Sequence, residues 1–363
     1  MKVLQVISSL YMGGAEKLLA ESIPLYQSRG LQVDLLLLNG SETSLKKDLK
    51  SKTKGRIFCL GNASVYNPMH IFKILPYLKK YDILHVHLFP TLYWVAIAKM
   101  ISFSKVKLIY TEHSTNNRRR KKIFFKILDK IIYRQYTKIV TIADEVDLNL
   151  KSHLGFKDSR FKLINNGVDI QLFNEAVPYP KTIFFKEEDK ILIQVSSFRP
   201  AKDQITLIKA LKLLPENTKL LLVGEGDIID VCQNLVKELK LEDRVTFLGV
   251  RMDVPRLLKT ADIVVMSSIY EGLSLASIEG MASEKVFVAS NVPGLREITT
   301  GAGILFERGD EKQLANEILK LLSDQEYYNL TANKCYQRAK EYDIGKMIDT
   351  YIRTYNENIK IVH

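Results

Sequence analysis

The 363 residues exceed one ordinary hydrophobic core and fit two domains, and 46% hydrophobic with 26% charged residues is the balance of a soluble globular protein. Three scattered cysteines, Cys59, Cys232 and Cys335, have no metal-ligand spacing and argue against a disulfide framework, so a reducing cytosol is expected. The net charge of +12 lies wholly in one half, with 28 Lys+Arg against 14 Asp+Glu in residues 1–180 and 25 against 27 thereafter, which points to a nucleic acid, an anionic membrane or a phosphorylated substrate as partner.

In chain order, Val3–Ile7 is a first strand rather than a signal peptide, because no longer apolar run or cleavage site follows it. Ser9 to Lys17 then opens a helix through Gly13 and Gly14, where free backbone N–H groups favour an anion. It is not GxGxxG, which weighs against a dinucleotide-dependent dehydrogenase; a plain strand-to-helix turn is the bland reading. Strands are predicted at Val33–Leu38, Ile83–His87, Lys107–Thr111 and Lys138–Ile142. His85 and His87 are expected on opposite strand faces, too divergent to share a metal, with His87 a candidate acceptor contact. The longest apolar stretch, Leu92 to Phe103, is interrupted by Lys99 and too short to span a bilayer.

Between Arg118 and Lys138 there are nine Lys/Arg and one acid, with Phe124, Ile127, Leu128, Ile131 and Ile132 at helical spacing. Packing on the chain's own sheet accounts for much of that stripe but not for the charge. No zinc spacing, RNP-like motif or helix-turn-helix accompanies the basic half, so no nucleic-acid partner is expected.

Val177-Pro178-Tyr179-Pro180 breaks regular structure, dividing an N-terminal domain (1–178) from a C-terminal one (179–343) and a final helix (344–363) expected to return to the first. The second half repeats the alternation at Ile191–Val195, Lys219–Val223, Val245–Leu248, Ile263–Ser267, Val286–Ala289 and Gly303–Phe306. Continuous Val/Ile/Leu runs require parallel sheets covered on both faces, giving an α/β protein of two Rossmann-like doubly wound units. Arg199 and Lys202 follow the first strand of this half, offering a bidentate fork and a point charge to phosphate; two solvated surface cations are the bland reading. Glu271 lies in a turn after the strand ending near Ser267, and Glu279 about one and a half turns into the next helix. The amides of Gly272, Leu273 and Ser274 would point at sugar and phosphates, and Glu279 can accept from a ribose diol.

The run from Glu271 to Glu279 closely resembles the signature of glycosyltransferase family 4. Gly13-Gly14-Ala15-Glu16, Asn166-Gly167-Val168-Asp169, Val223-Gly224-Glu225-Gly226, Phe247-Leu248-Gly249, Pro293-Gly294-Leu295-Arg296-Glu297 and Gly303-Ile304-Leu305-Phe306 fit it in order and spacing across nearly the whole chain. The resemblance implies the GT-B fold, two Rossmann-like domains facing across a cleft. It also implies a nucleotide-diphosphate sugar as co-substrate, retention of anomeric configuration, and no metal or other cofactor. By position, Glu279 would hold the ribose, Arg199 and Lys202 the diphosphate with Gly13 and Gly14, and Glu271 the transferred sugar. His113 would reach that sugar, and Gly249, Val250 and Arg251 would border the base. The chain departs from the pattern where Ser196 and Ser197 stand at the place many members give to the arginine, which here is Arg199.

The expected activity is transfer of a hexosyl or N-acetylhexosaminyl group to a glycan or lipid-linked acceptor, in bacterial surface polysaccharide synthesis. The segment Arg118–Lys138 would hold the enzyme at the anionic inner face of the cell membrane. A sugar-nucleotide 2-epimerase of the same fold, or a non-catalytic nucleotide-sugar binder, is the alternative; product analysis separates all three.

Overall fold

A computed structural model describes residues 1–11, 13–113, 122–156, 158–272 and 274–360. They form two compact units, Met1–Gly167 with the segment from Ile344 onward, and Val168–Asp343. The first unit carries β1 (Lys2–Ile7), β2 (Gln32–Leu37), β3 (Ile57–Cys59), β4 (Ile83–His87), β5 (Lys107–Glu112), β6 (Lys138–Thr141) and β7 (Phe161–Leu163), in the order β3-β2-β1-β4-β5-β6-β7. Every pairing is parallel. The second carries β8 (Lys190–Val195), β9 (Thr218–Val223), β10 (Val245–Phe247), β11 (Ile263–Met266), β12 (Val286–Ser290) and β13 (Ile304–Phe306), again parallel, in the order β10-β9-β8-β11-β12-β13.

Both sheets reverse direction of growth beside their first strand, between β1 and β4 and between β8 and β11. Beyond the carboxyl ends of such strands lies the crevice in which doubly wound folds take ligands. The strands are apolar throughout because both faces are covered: Ile191, Ile193 and Val264 enter one cluster of the second unit, while Leu192, Ile263 and Val265 enter the other. Buried polar residues interrupt these runs, among them Gln5, Asp34, His85, His87, Thr111 and Glu112 in the first sheet and Gln194, Thr218 and Ser290 in the second.

The division falls at Gly167, ahead of the proline-rich break. Val168 N–H donates to the Tyr342 carbonyl at 2.9 Å, and Ile170 and Phe173 are buried in the second unit's core. The final helix, Ile344–Lys360, belongs to the first unit, where Tyr351 and Tyr355 are buried.

Residues 114–121 lie outside the described residues, so the structure treats only the part of the basic segment from Lys122 on. The helix Ile123–Tyr133 buries Ile132 and Tyr133 and packs Phe125 and Leu128 on the core. Phe124, Ile127 and Ile131 are 67%, 61% and 44% exposed, with Ile123 beside them at 74%, so three of the five residues of the apolar stripe face outward. The segment's one acid, Asp129, is buried, bonded to Tyr93 and, at 2.8 Å, to His153. The outer face is therefore apolar and cationic together. No helix among the described residues is long and apolar enough to cross a membrane.

Candidate functional site

In the second unit the loops after β8 and β11 meet at the switch point. Lys202 Nζ donates to Glu271 Oε1 in a short ion pair, and Ser268 Oγ donates to the same oxygen at 2.7 Å. The pair is mostly shielded, the side chains being 23% and 10% exposed. Beneath it, Gln194 Nε2 donates to the Lys202 carbonyl at 2.9 Å, and Ser267 Oγ to the Asp203 carbonyl at 2.7 Å. Gln204 Nε2 donates to Ser196 Oγ at 3.0 Å and to the Ser197 carbonyl at 3.1 Å. Asp203, in the left-handed region at φ +46°, caps the helix Gln204–Lys212, and burial raises its carboxyl above the usual range. A buried polar layer thus fixes the backbone that carries Lys202.

Arg199 is exposed at the entrance to the short turn Pro200–Lys202, its guanidinium unengaged among the described residues. The helix Leu275–Ala282 starts from Ser274 without a side-chain cap. The N–H groups of Gly272 and Ser274 bond to nothing among the described residues, leaving donors at the helix start. Leu273, expected to contribute an amide, lies outside the described residues. Glu279 is 6% exposed within this helix. Gly294 clamps the loop: at φ +85° a Cβ would fall 2.4 Å from the carbonyl oxygens of both Glu271 and Gly272. Gly249 sits at φ +63° with its carbonyl accepting from Gly224 N–H at 2.8 Å. The Arg251 guanidinium forks onto Asp253 at 2.8 and 2.5 Å, so Val250, 49% exposed, is the open side chain of that corner.

In the first unit, Gly13 precedes the helix Gly14–Ser28 in extended backbone, and a Cβ on Gly14 would meet only open space. Ala15 of its first turn lines a small, partly open pocket of about 20 Å³ with Gln5, His85, His87, His113 and Tyr351. His85 and His87 therefore share a face, their ring centroids 4.2 Å apart, and the expected divergence is corrected. Residues two apart on a strand point the same way, since side chains alternate with period two. Among the described residues no three acids, histidines or cysteines are grouped to hold a metal ion.

His87 Nδ1 lies 3.1 Å from His113 Nε2, and His87 Nε2 2.9 Å from Gln5 Oε1. Burial holds His113 down at about 4 and His85 at about 3, and with the neighbouring rings it holds His87 well below the ordinary imidazole value. A folded pKa below the unfolded one means that the unfolded chain takes up the proton first as pH falls. Stability therefore declines from about pH 6.5 towards pH 4, with His113 alone accounting for on the order of 3 kcal/mol across that window. Urea denaturation across this range is expected to show a shallower pH slope in His113→Gln than in the wild type; an identical slope contradicts a neutral, buried His113.

Sequence reasoning missed the supports. Gln5, Thr111, Tyr351 and Tyr355 surround the histidines, and Gln194, Ser267 and Ser268 underlie Lys202 and Glu271. The available signal was a lone polar residue in a wholly buried apolar strand, as at Gln5 and Gln194, because such a group must find a buried partner.

Residues 12–172 match the model described as Glycosyltransferase Family 4, and residues 179–342 match Glycosyl transferases group 1. The chain is 28% identical over 298 residues to the N-acetyl-alpha-D-glucosaminyl L-malate synthase of Bacillus anthracis, covering 77% of this chain and 75% of that one. It is 25% identical over 359 residues to a Campylobacter jejuni protein, N-acetylgalactosamine-N,N'-diacetylbacillosaminyl-diphospho-undecaprenol 4-alpha-N-acetylgalactosaminyltransferase, covering 94% and 95%. In fold it is similar to the crystal structure of Anabaena HepE in complex with UDP-glucose, with TM-score 0.84, 22% identity and coverage of 98% and 100%.

Proposed function

This chain belongs to glycosyltransferase family 4 and has the GT-B fold, and from that premise we propose that it moves a hexosyl or N-acetylhexosaminyl group from a nucleotide-diphosphate sugar to a glycan or lipid-linked acceptor, with retention, in bacterial surface polysaccharide synthesis. The observation that carries the reading is the Lys202–Glu271 pair at the switch point of the second sheet. Breaking the anomeric bond leaves negative charge on the diphosphate. Lys202, Arg199 and the amides at the start of Leu275–Ala282 supply preorganised positive charge for it, and the proposal gives the protein no metal or other cofactor. Glu271, drawn off Lys202 when phosphate arrives, is free to accept from the sugar's hydroxyls, and Glu279 receives the ribose. Gly13 and Gly14 take the diphosphate from the first unit, His113 the sugar and His87 the acceptor, while the Gly249–Arg251 corner borders the base. The names of the Bacillus anthracis and Campylobacter jejuni relatives, which specify N-acetylhexosaminyl groups, support the donor class.

The test is product analysis with UDP- and GDP-sugars in the presence of undecaprenyl-diphosphate-linked saccharides. Glycosylated lipid with the donor's anomeric configuration is expected. A C2-epimerised nucleotide sugar formed without acceptor contradicts transfer, and so does nucleotide binding without turnover for any acceptor.

The reading includes attachment at the inner membrane face, through the helix Ile123–Tyr133. Lys122, Lys126, Lys130 and Arg134 accompany its exposed Phe124, Ile127 and Ile131. Each cation near an anionic leaflet contributes roughly 1 kcal/mol, so Lys122→Gln/Lys126→Gln/Lys130→Gln is expected to weaken binding to phosphatidylglycerol vesicles by about two orders of magnitude. Equal flotation of the wild type with phosphatidylglycerol and phosphatidylcholine vesicles contradicts it.

A further inference from the structure

A continuous chain of buried hydrogen bonds runs from the final helix to His113. Gln5 Nε2 donates to Tyr355 Oη at 3.2 Å, and Tyr355 Oη lies 2.7 Å from His85 Nδ1. His85 Nε2 lies 2.7 Å from Thr111 Oγ1, which lies 3.1 Å from Tyr351 Oη. The other side of Gln5 leads, through Oε1, to His87 and then to His113. His113 Nδ1 is shielded from solvent and has no partner among the described residues, and its ring lines the pocket beside Ala15.

The Gln5 amide, its nitrogen turned to Tyr355 Oη, sets the protons on His87 and His113. Gln5 Oε1 can only accept, so His87 Nε2 carries the proton and His87 Nδ1 is a lone pair. That lone pair requires a donor, which is His113 Nε2–H at 3.1 Å. A neutral His113 has one ring proton and has now used it. Burial keeps all three rings neutral.

We propose that Gln5 and Tyr355 are positioning residues that hold His113 as the Nε2–H tautomer, presenting a bare Nδ1 lone pair to a substrate hydroxyl in the pocket. His113 is then an acceptor, and the group it takes is an O–H donor rather than a phosphate oxygen or a carbonyl. A phosphate oxygen would face a lone pair and be repelled. The hydroxyl's identity as the donor sugar's rests on the proposed function; the tautomer does not.

The experiment is long-range 1H–15N correlation on the full chain labelled with 15N-histidine, with His113→Gln to assign the ring. In the free wild type, His113 Nδ1 is expected at the shift of an unprotonated imidazole nitrogen and Nε2 at that of a protonated one. Tyr355→Phe removes the anchor of the Gln5 amide and Gln5→Leu the amide itself, and both are expected to average the two shifts. Tyr355→Phe is also expected to lower kcat/KM about tenfold, the worth of one misdirected hydrogen bond, with the Kd for UDP unchanged. A protonated Nδ1 in the wild type overturns the proposal, as does a tautomer indifferent to both substitutions. Titration with UDP-glucose, UDP-galactose and UDP-N-acetylglucosamine is expected to move the Nδ1 resonance upfield for the sugar that binds. Binding without that movement overturns the hydroxyl assignment. Absence of binding by any nucleotide sugar is the failure of the donor reading instead, visible apart from the tautomer of the free protein.

Discussion

Lys202→Met is expected to lower kcat/KM for sugar transfer by about a hundredfold to a thousandfold, the usual effect of removing one preorganised group from developing charge. The effect falls on a residue whose position is fixed twice, by its own ion pair to Glu271 and by the bonds from Gln194 and Ser267 that hold the carbonyls of Lys202 and Asp203. Removing the cation also strands Glu271, whose side chain is 10% exposed and keeps only the Ser268 hydroxyl among the described residues. A stability loss of about 1–3 kcal/mol is expected from that. Glu271→Gln added to Lys202→Met is expected to restore the stability and leave transfer impaired, which separates the chemical role from the structural one. Recovery of activity along with stability in the double variant contradicts a direct role for Lys202 at the phosphate.

Glu279→Gln is expected to raise the Kd for the nucleoside diphosphate about tenfold to a hundredfold, the range for hydrogen bonds to a charged acceptor. The affinity for inorganic pyrophosphate is expected to stay unchanged, because the carboxylate addresses the ribose. Its burial in the first turns of Leu275–Ala282, at 6% exposure, places it where that loss is not screened by water. Calorimetric titration of both ligands checks this. An equal loss for pyrophosphate assigns Glu279 to the phosphates and contradicts the ribose role.

Much of the fold was legible because parallel strands buried on both faces are written as uninterrupted Val/Ile/Leu runs. Ile83–His87 was read to the residue, and all six strands of the second unit to within a residue or two. The edge strands Ile57–Cys59 and Phe161–Leu163 escaped because each is three residues long and only half buried at best, so neither is written as a long Val/Ile/Leu run. In the site, Lys202 and Glu271 were both singled out, but nothing local to either says that they pair, since 69 residues separate them. The polar layer under Lys202 was invisible for the same reason: Gln194 and Ser267 come from different strands joined only by the topology. The shared face of His85 and His87 follows from the strand's period of two alone and needs no tertiary effect. Tyr355, 270 residues from His85, could not have been joined to it without the fold. The outward turn of Ile123, Phe124 and Ile127 also required the structure, because a stripe at helical spacing does not say which part of it the core takes.

The central claim is that the unit Val168–Asp343 binds a nucleoside diphosphate through Lys202 and Glu279. Thermal unfolding of the wild type and of Lys202→Met/Glu271→Gln with UDP and GDP tests it most directly. A nucleotide at a hundred times its Kd adds about 2.7 kcal/mol to the stability of the unit that binds it. The account predicts that one of the two nucleotides raises Tm in the wild type and that the rise is largely lost in the double variant. No rise with either nucleotide, or an equal rise in both proteins, contradicts it.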